Sequence, residues 1–194
     1  MRWKYKFSGL KMSDLTKRAI KTSFLKLLNA KMLDKITVKD IVEDCGINRN
    51  TFYYHFEDVY ALLQEIFEDE TKNYVIKHGQ NLTDAFLDAI GFALENKRAV
   101  FHVFHSVKRE LLEQYLFDVS DRLAEHFVNE QAEGLTVGRE DLRYVTVFYK
   151  HAVVGTIIEW LLKGMEAEPE RVIKRMGEIF DGSVRQTLER IAEN

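Results

Sequence analysis

Two turns of chain, Arg49-Asn50-Thr51-Phe52-Tyr53-Tyr54-His55, bring together a guanidinium, an amide, a hydroxyl, two phenols and an imidazole. Wound as a helix at about 100° per residue, the segment places Asn50 and Tyr54 opposite Phe52, with Thr51 and Tyr53 on the flanks. Arg49 then sits at the tip and His55 towards the far end. An ordinary solvated face would carry Glu and Lys. Short hydrogen-bonding groups and phenols instead suit base edges and phosphate oxygens, the work of the second helix of a helix-turn-helix in a major groove. The plain alternative, two consecutive core helices, leaves two aromatics and a His on a wet face without use.

The elements that must hold this segment are legible on either side of it. Thr37 is placed to N-cap a helix whose inward face is Ile41, Val42 and Cys45, and Gly46 stands where a left-handed residue would end it. Asn48 is a second N-cap, and Phe52 and Phe56, four apart, give the following helix its buried side. The spacing therefore predicts a helix-turn-helix over 37–56.

The run Ile36-Thr37-Val38-Lys39-Asp40-Ile41, then Cys45-Gly46-Ile47, then Thr51-Phe52-Tyr53-Tyr54-His55-Phe56 and Ala61-Leu62-Leu63 closely resembles the N-terminal DNA-binding domain of the TetR family of transcriptional regulators. The likeness covers roughly residues 14 to 68. It implies that Thr37 and Lys39 meet phosphates at the start of the first motif helix. It also implies that Arg49, Asn50, Thr51, Tyr53, Tyr54 and His55 form the recognition surface, with Tyr53 and His55 on the backbone and the others on bases. One departure matters: many members carry a Lys shortly after the final aromatic, where this chain has Glu57, Asp58, Val59 and Tyr60.

A formal net charge of −3 over 194 residues argues against a polyanion partner until it is divided. Residues 1–57 hold 12 Lys or Arg against 6 Asp or Glu, and the remainder holds 16 against 25. A basic head on an acidic body lets one end approach nucleic acid while the rest is repelled from it. The single Cys45 cannot form an intrachain disulfide and reads as a small hydrophobe, which fits a reducing cytoplasm. Met1 to Phe7 lacks the apolar core of a secretory signal. The longest largely apolar run, Ala152 to Leu162, is short for a membrane span and contains Glu159.

The expected fold class is all-α, with a basic N-terminal arm over 1–12, a helix-turn-helix domain over 13–57 and a helical regulatory and dimerisation domain over 58–194. Residues 1–11 read as disordered, either an arm on DNA or an extension preceding Met12. Ser13 or Asp14 opens a supporting helix to about Ala30, whose Lys17, Arg18 and Lys21 face either phosphates or solvent. A connecting helix follows from Asp58 to about Lys77, then helices near 83–95, 98–106, 107–129 and 140–163. The last of these is apolar on all sides, so a second copy of the chain is expected to cover one face. Pro169 opens a final helix to about Ala192. Candidate interface residues are Phe148, Ala152, Gly155, Glu159, Ile173, Met176 and Phe180; by resemblance the last two helices build a four-helix dimer interface.

Catalysis finds no support: the sequence has no Gly-rich phosphate loop, nucleophile elbow or His-Glu-x-x-His. His102 and His105 are three apart, but no carboxylate or Cys stands at matching spacing, so no metal and no cofactor are expected. Phe101, Phe104, His105, Phe127, Tyr149 and Trp160 are candidates to line an effector pocket. Leu94-Glu95-Asn96-Lys97-Arg98-Ala99-Val100-Phe101 and the apolar helix ending at Gly164 more loosely resemble the subgroup that includes regulators of dihydroxyacetone kinase genes. The combined expectation is a cytoplasmic homodimer that binds a palindromic operator in double-stranded DNA, a repressor released by a small-molecule effector. The alternative is a protein-controlled interaction module or co-activator on the same fold.

Overall fold

A computed structural model describes residues 12–78, 91, 93–166, 171, 174–175, 178–179 and 182–193. The described residues form α-helices and short turns with no strand. Helix α1 is Met12–Ala30, and a single 3-10 turn, Leu33–Lys35, leads into α2, Val38–Cys45. Then come α3 (Arg49–His55), α4 (Val59–His78), α5 (Lys97–Phe104), α6 (Arg109–Gln131), α7 (Arg139–Leu162) and α8 (Ser183–Ala192). The expected 83–95 helix and the arm over 1–11 lie largely or wholly outside the described residues.

Internal contacts divide the chain into two compact units: the described residues of Met1–Asp69 with Phe92–Leu112, and those of Glu70–Gly91 with Glu113–Asn194. This division and the sequence boundary at 57/58 differ in two places. The opening turns of α4 bury Leu62, Leu63 and Ile66, which keeps them with the first unit. Helix α5 also packs there, because His102 Nδ1 lies 2.6 Å from the Leu28 carbonyl near the end of α1. The core of this unit is apolar from every element: Ile20, Phe24 and Leu28 of α1, Ile41 of α2, Phe52 of α3, Leu62 and Ile66 of α4, and Val103 and Phe104 of α5.

Across α1 and α4 runs a ladder of charge. Lys17 Nζ lies 2.8 Å from Glu65, and the Lys21 ammonium sits between Glu65 at 2.6 Å and Asp69 at 2.7 Å. Each helix contributes two residues one turn apart, so the pairs stack along the contact. Burial alone would push the Lys21 pKa down. Hydrogen bonds from its ammonium to Asp69 and Glu65, with their charges, more than offset that and raise it. Both lysines are therefore spent on holding the fold.

In the second unit Val128, Val145, Val184 and Leu188 form a buried cluster, with Phe127, Leu142, Tyr149 and Ile191 packed against it. Arg185 Nη1 of α8 donates to the Gln131 and Glu133 carbonyls, both at 2.8 Å, and so satisfies the open end of α6. The final helix is not continuous from 169 to 192. Gly182 has φ +69, a left-handed conformation incompatible with a through-running α-helix, and α8 starts afresh after it. Helix α7 is long and apolar enough to cross a membrane by length and composition alone. Its Val145, Val153, Val154, Trp160 and Leu161 are buried in the unit, while 33 % of the apolar stretch as a whole is buried.

Candidate nucleic-acid interface

Two caps fix the motif. Thr37 closes a capping box on α2: the Asp40 N–H donates to its Oγ1 at 3.2 Å, and its own N–H donates back to Asp40 Oδ2 at 2.8 Å. The Thr37 hydroxyl also donates to Asp40 Oδ2, at 2.6 Å. Both Thr37 donors are thus directed at one carboxylate, and Lys31 Nζ reaches the same oxygen at 2.9 Å. Hydrogen bonding from Lys31, then from Thr37, holds the Asp40 carboxyl well below the usual carboxylate range. At the other end Gly46 ends α2 with φ +70, and the Ile47 N–H donates to the Val42 carbonyl at 3.0 Å.

Asn48 then caps α3, its Oδ1 accepting from the Thr51 N–H at 2.8 Å. Phe52 is fully buried and Phe56 nearly so, with their ring centroids 5.8 Å apart. That anchor turns the opposite face outward. Tyr54 is 82 % exposed and Tyr53 55 %, Arg49 and Asn50 are exposed, and Thr51 and His55 are half-buried. The Tyr54 and His55 rings meet edge to face at 5.0 Å, and Tyr53 packs edge-on against Phe52 at 5.6 Å. The fold therefore presents Arg49, Asn50, Thr51, Tyr53, Tyr54 and His55 on one short helix, with Thr37 and Lys39 at the start of α2.

Part of the positive charge counted in the sequence is paired among the described residues. Lys17 and Lys21 face α4, Lys26 pairs with Asp44, Lys31 with Asp40, and Lys39 lies 3.7 Å from Glu43. Asp58 follows the final aromatic, Phe56, by two residues. Its Oδ1 accepts the Ala61 N–H at 2.7 Å and caps α4. Sequence reasoning passed over Lys31 and Asp40, since their pairing spans a turn that no periodicity describes.

Along α7 a second surface is exposed: Tyr144 at 67 %, Phe148 at 68 % and Leu162 at 62 %, with Ala152, Gly155 and Glu159 open between them. A Cβ added at Gly155 would meet nothing within 4 Å. The interface candidates Ile173, Met176 and Phe180 lie outside the described residues. The six pocket candidates are shared between the units. Phe101, Phe104 and His105 belong to the first, where Phe104 is buried and Phe101 stacks on His105 at 5.7 Å. Phe127, Tyr149 and Trp160 belong to the second; Phe127 and Tyr149 join its core cluster, and Trp160 is buried. The described residues contain no group of three or more His, Cys, Asp or Glu arranged to hold a metal ion.

A capped two-helix motif with a polar, aromatic outer face, set in an all-helical chain, defines a helix-turn-helix transcriptional regulator. Two family models agree. Residues 25–66 match the tetR family of bacterial regulatory proteins, and residues 80–182 match a transcriptional regulator C-terminal region of the same group. The chain belongs to the TetR family of transcriptional regulators, which are not enzymes, and whose members bind DNA and usually act as dimers. It is 26 % identical over 184 residues to the HTH-type regulator YxbF of Bacillus subtilis, a match covering 87 % of this chain and 45 % of that protein. Over 64 residues it is 34 % identical to the dhaKLM operon activator DhaS of Lactococcus lactis, covering 33 % of this chain and 34 % of the relative. The matched stretches span less than half the length of these curated relatives. The solved structure of a dihydroxyacetone kinase operon activator, DhaS, superposes with a TM-score of 0.71 at 17 % identity, covering 92 % of this chain and 99 % of that one. That likeness establishes the shared fold.

Proposed function

We propose that two copies of this chain place their α3 helices in successive major grooves of a roughly palindromic operator, about one helical turn apart. The observation that carries this reading is the outward row on α3, where Asn50, Thr51, Tyr53 and Tyr54 stand opposite the buried Phe52. Arg49, Asn50, Thr51 and Tyr54 discriminate bases, while Lys39, Tyr53, His55 and the Thr37-capped start of α2 position the backbone. The pairing surface is the exposed row of α7, Phe148, Ala152, Gly155 and Glu159, together with the sequence candidates Ile173, Met176 and Phe180, which lie outside the described residues. Two small residues at its middle favour close helix approach, and Phe148 supplies the apolar contact.

In this reading the protein works in the cytoplasm as a repressor. An effector taken up among the body aromatics selects an arrangement in which the paired heads no longer match the operator. Helix α4 supports the coupling, since it passes without interruption from the first unit into the second. Activation is the second reading, favoured by the printed role of the DhaS relative as an operon activator. A gel shift on the DNA upstream of its own operon, followed by a reporter driven from that DNA, separates these outcomes. Binding with reporter output that rises when the protein is removed supports repression; output that falls supports activation. Failure to shift any duplex at low salt removes the DNA-binding reading altogether.

A further inference from the structure

The hydrogen atoms at the start of α3 are not free to point either way. The Thr51 N–H donates to Asn48 Oδ1 at 2.8 Å, and because a backbone N–H can only donate, the atom it meets must be the amide oxygen. Thr51 Oγ1 lies 3.1 Å from that same oxygen. Amide oxygen cannot donate, so in this contact the Thr51 hydroxyl donates and Asn48 Oδ1 accepts. What remains at Thr51 Oγ1 is a pair of lone pairs, and among the described residues no donor reaches them.

We infer that Thr51 reads DNA as an acceptor only, taking a hydrogen bond from an exocyclic amino group, adenine N6 or cytosine N4, in the major groove. A Thr hydroxyl is ordinarily ambiguous and serves acceptor or donor edges alike; here Asn48 removes the ambiguity. Arg49, two positions earlier and so on a different side of the helix, has donors and no acceptor. Two residues of the first turn of α3 thus differ in polarity, while Asn50 and Tyr54 retain both. The helix is directional in its demands: acceptor edges for Arg49 and an amino group for Thr51. The inference rests on the reading of α3 as the groove-facing helix, and the test keeps the two apart.

The full-length protein is first used to select duplexes from a random pool, and the recovered site is then synthesised with single functional groups deleted. Purine replaces each adenine and 2-pyrimidinone each cytosine, removing the amino group; 7-deazaguanine removes a purine acceptor and uracil removes the thymine methyl. At one position per half-site, amino deletion should weaken wild-type binding roughly 3- to 10-fold, the span of one ordinary hydrogen bond. Thr51→Val, close in shape but without the hydroxyl, should be indifferent to that deletion and unchanged elsewhere. Asn48→Gly keeps an acceptable helix start and frees the hydroxyl to rotate, so its dependence on the amino group should fall between the two. Thermal melts confirm that both variants are folded. If Thr51→Val tracks wild type through every amino deletion, or departs from it only on acceptor or methyl deletion, the inference is overturned. If the pool yields no bound duplex, the groove-facing assignment itself is lost.

Discussion

Tyr54 carries the sharpest expectation at the scale of single residues. Its ring is 82 % exposed and contributes little to packing, so Tyr54→Ala should leave the melting temperature in place. Affinity for the specific operator should still fall by about 1–3 kcal/mol if the phenol reads a base, measured by fluorescence anisotropy against operator and scrambled duplexes. Equal loss on both duplexes would move Tyr54 from base reading to backbone contact. Asp40 gives a prediction in pH. Its carboxyl is held below its ordinary value of 3.8 by Lys31 and then Thr37, so its stabilising effect is present above that pH and lost as pH falls below it. Asp40→Asn should melt lower than wild type at pH 7, and the gap should shrink progressively as pH falls below 3.8. Most of this was legible in the sequence, because caps and a four-residue aromatic spacing are local patterns. The commitment of Thr37 to Asp40 was not, since a Thr with a carboxylate three residues on reads equally as a cap or as a phosphate contact.

Elements bring together what sequence separation hides. Lys17 and Lys21 are read from the sequence as facing either phosphate or solvent, and their partner Glu65 lies 48 positions from Lys17. No periodicity links positions so far apart; only the packing of α1 on α4 does. Lys21→Met should cost about 1.5–3 kcal/mol, the usual worth of hydrogen bonds to charged groups. The ladder has a pH window. Glu65, despite the opposing effect of burial, is lowered from 4.5 by Lys17 and Lys21, so its contribution is present above that value and fades in acid. Lys21 is raised from 10.5, so its contribution is present below that value and fades as pH climbs past it. Urea denaturation of wild type and Lys21→Met should therefore differ most between about pH 4.5 and 10.5 and converge outside that range; a constant gap at pH 3 would show that packing, not charge, sets the cost. The break at Gly182 belongs to this scale too. Apolar spacing carried the expected helix through it, whereas the residue type that permits φ +69 stood in the sequence as the contrary signal.

For the whole molecule, the all-helical class and the head were readable because their signals are local, while the partition into units was not. Helix α5 lies about seventy residues from its partner on α1, and the His102 contact to Leu28 is invisible in composition. The apolar girth of α7 led to the expectation that a second copy covers one of its faces, and Phe148 tests it. Phe148→Glu puts a charge on a ring that is 68 % exposed in the single chain, so the fold should survive. Light scattering should then report half the wild-type mass, with operator binding lost at concentrations where wild type saturates. A dimer that persists would place the pairing surface elsewhere. The account as a whole turns on duplex selection from a random pool, with the mass of the recovered complex measured alongside. Enriched sequences with two inverted half-sites about one helical turn apart, each bound by one of two chains, are what it predicts; an asymmetric site held by a single chain, or no enrichment at low salt, would contradict it.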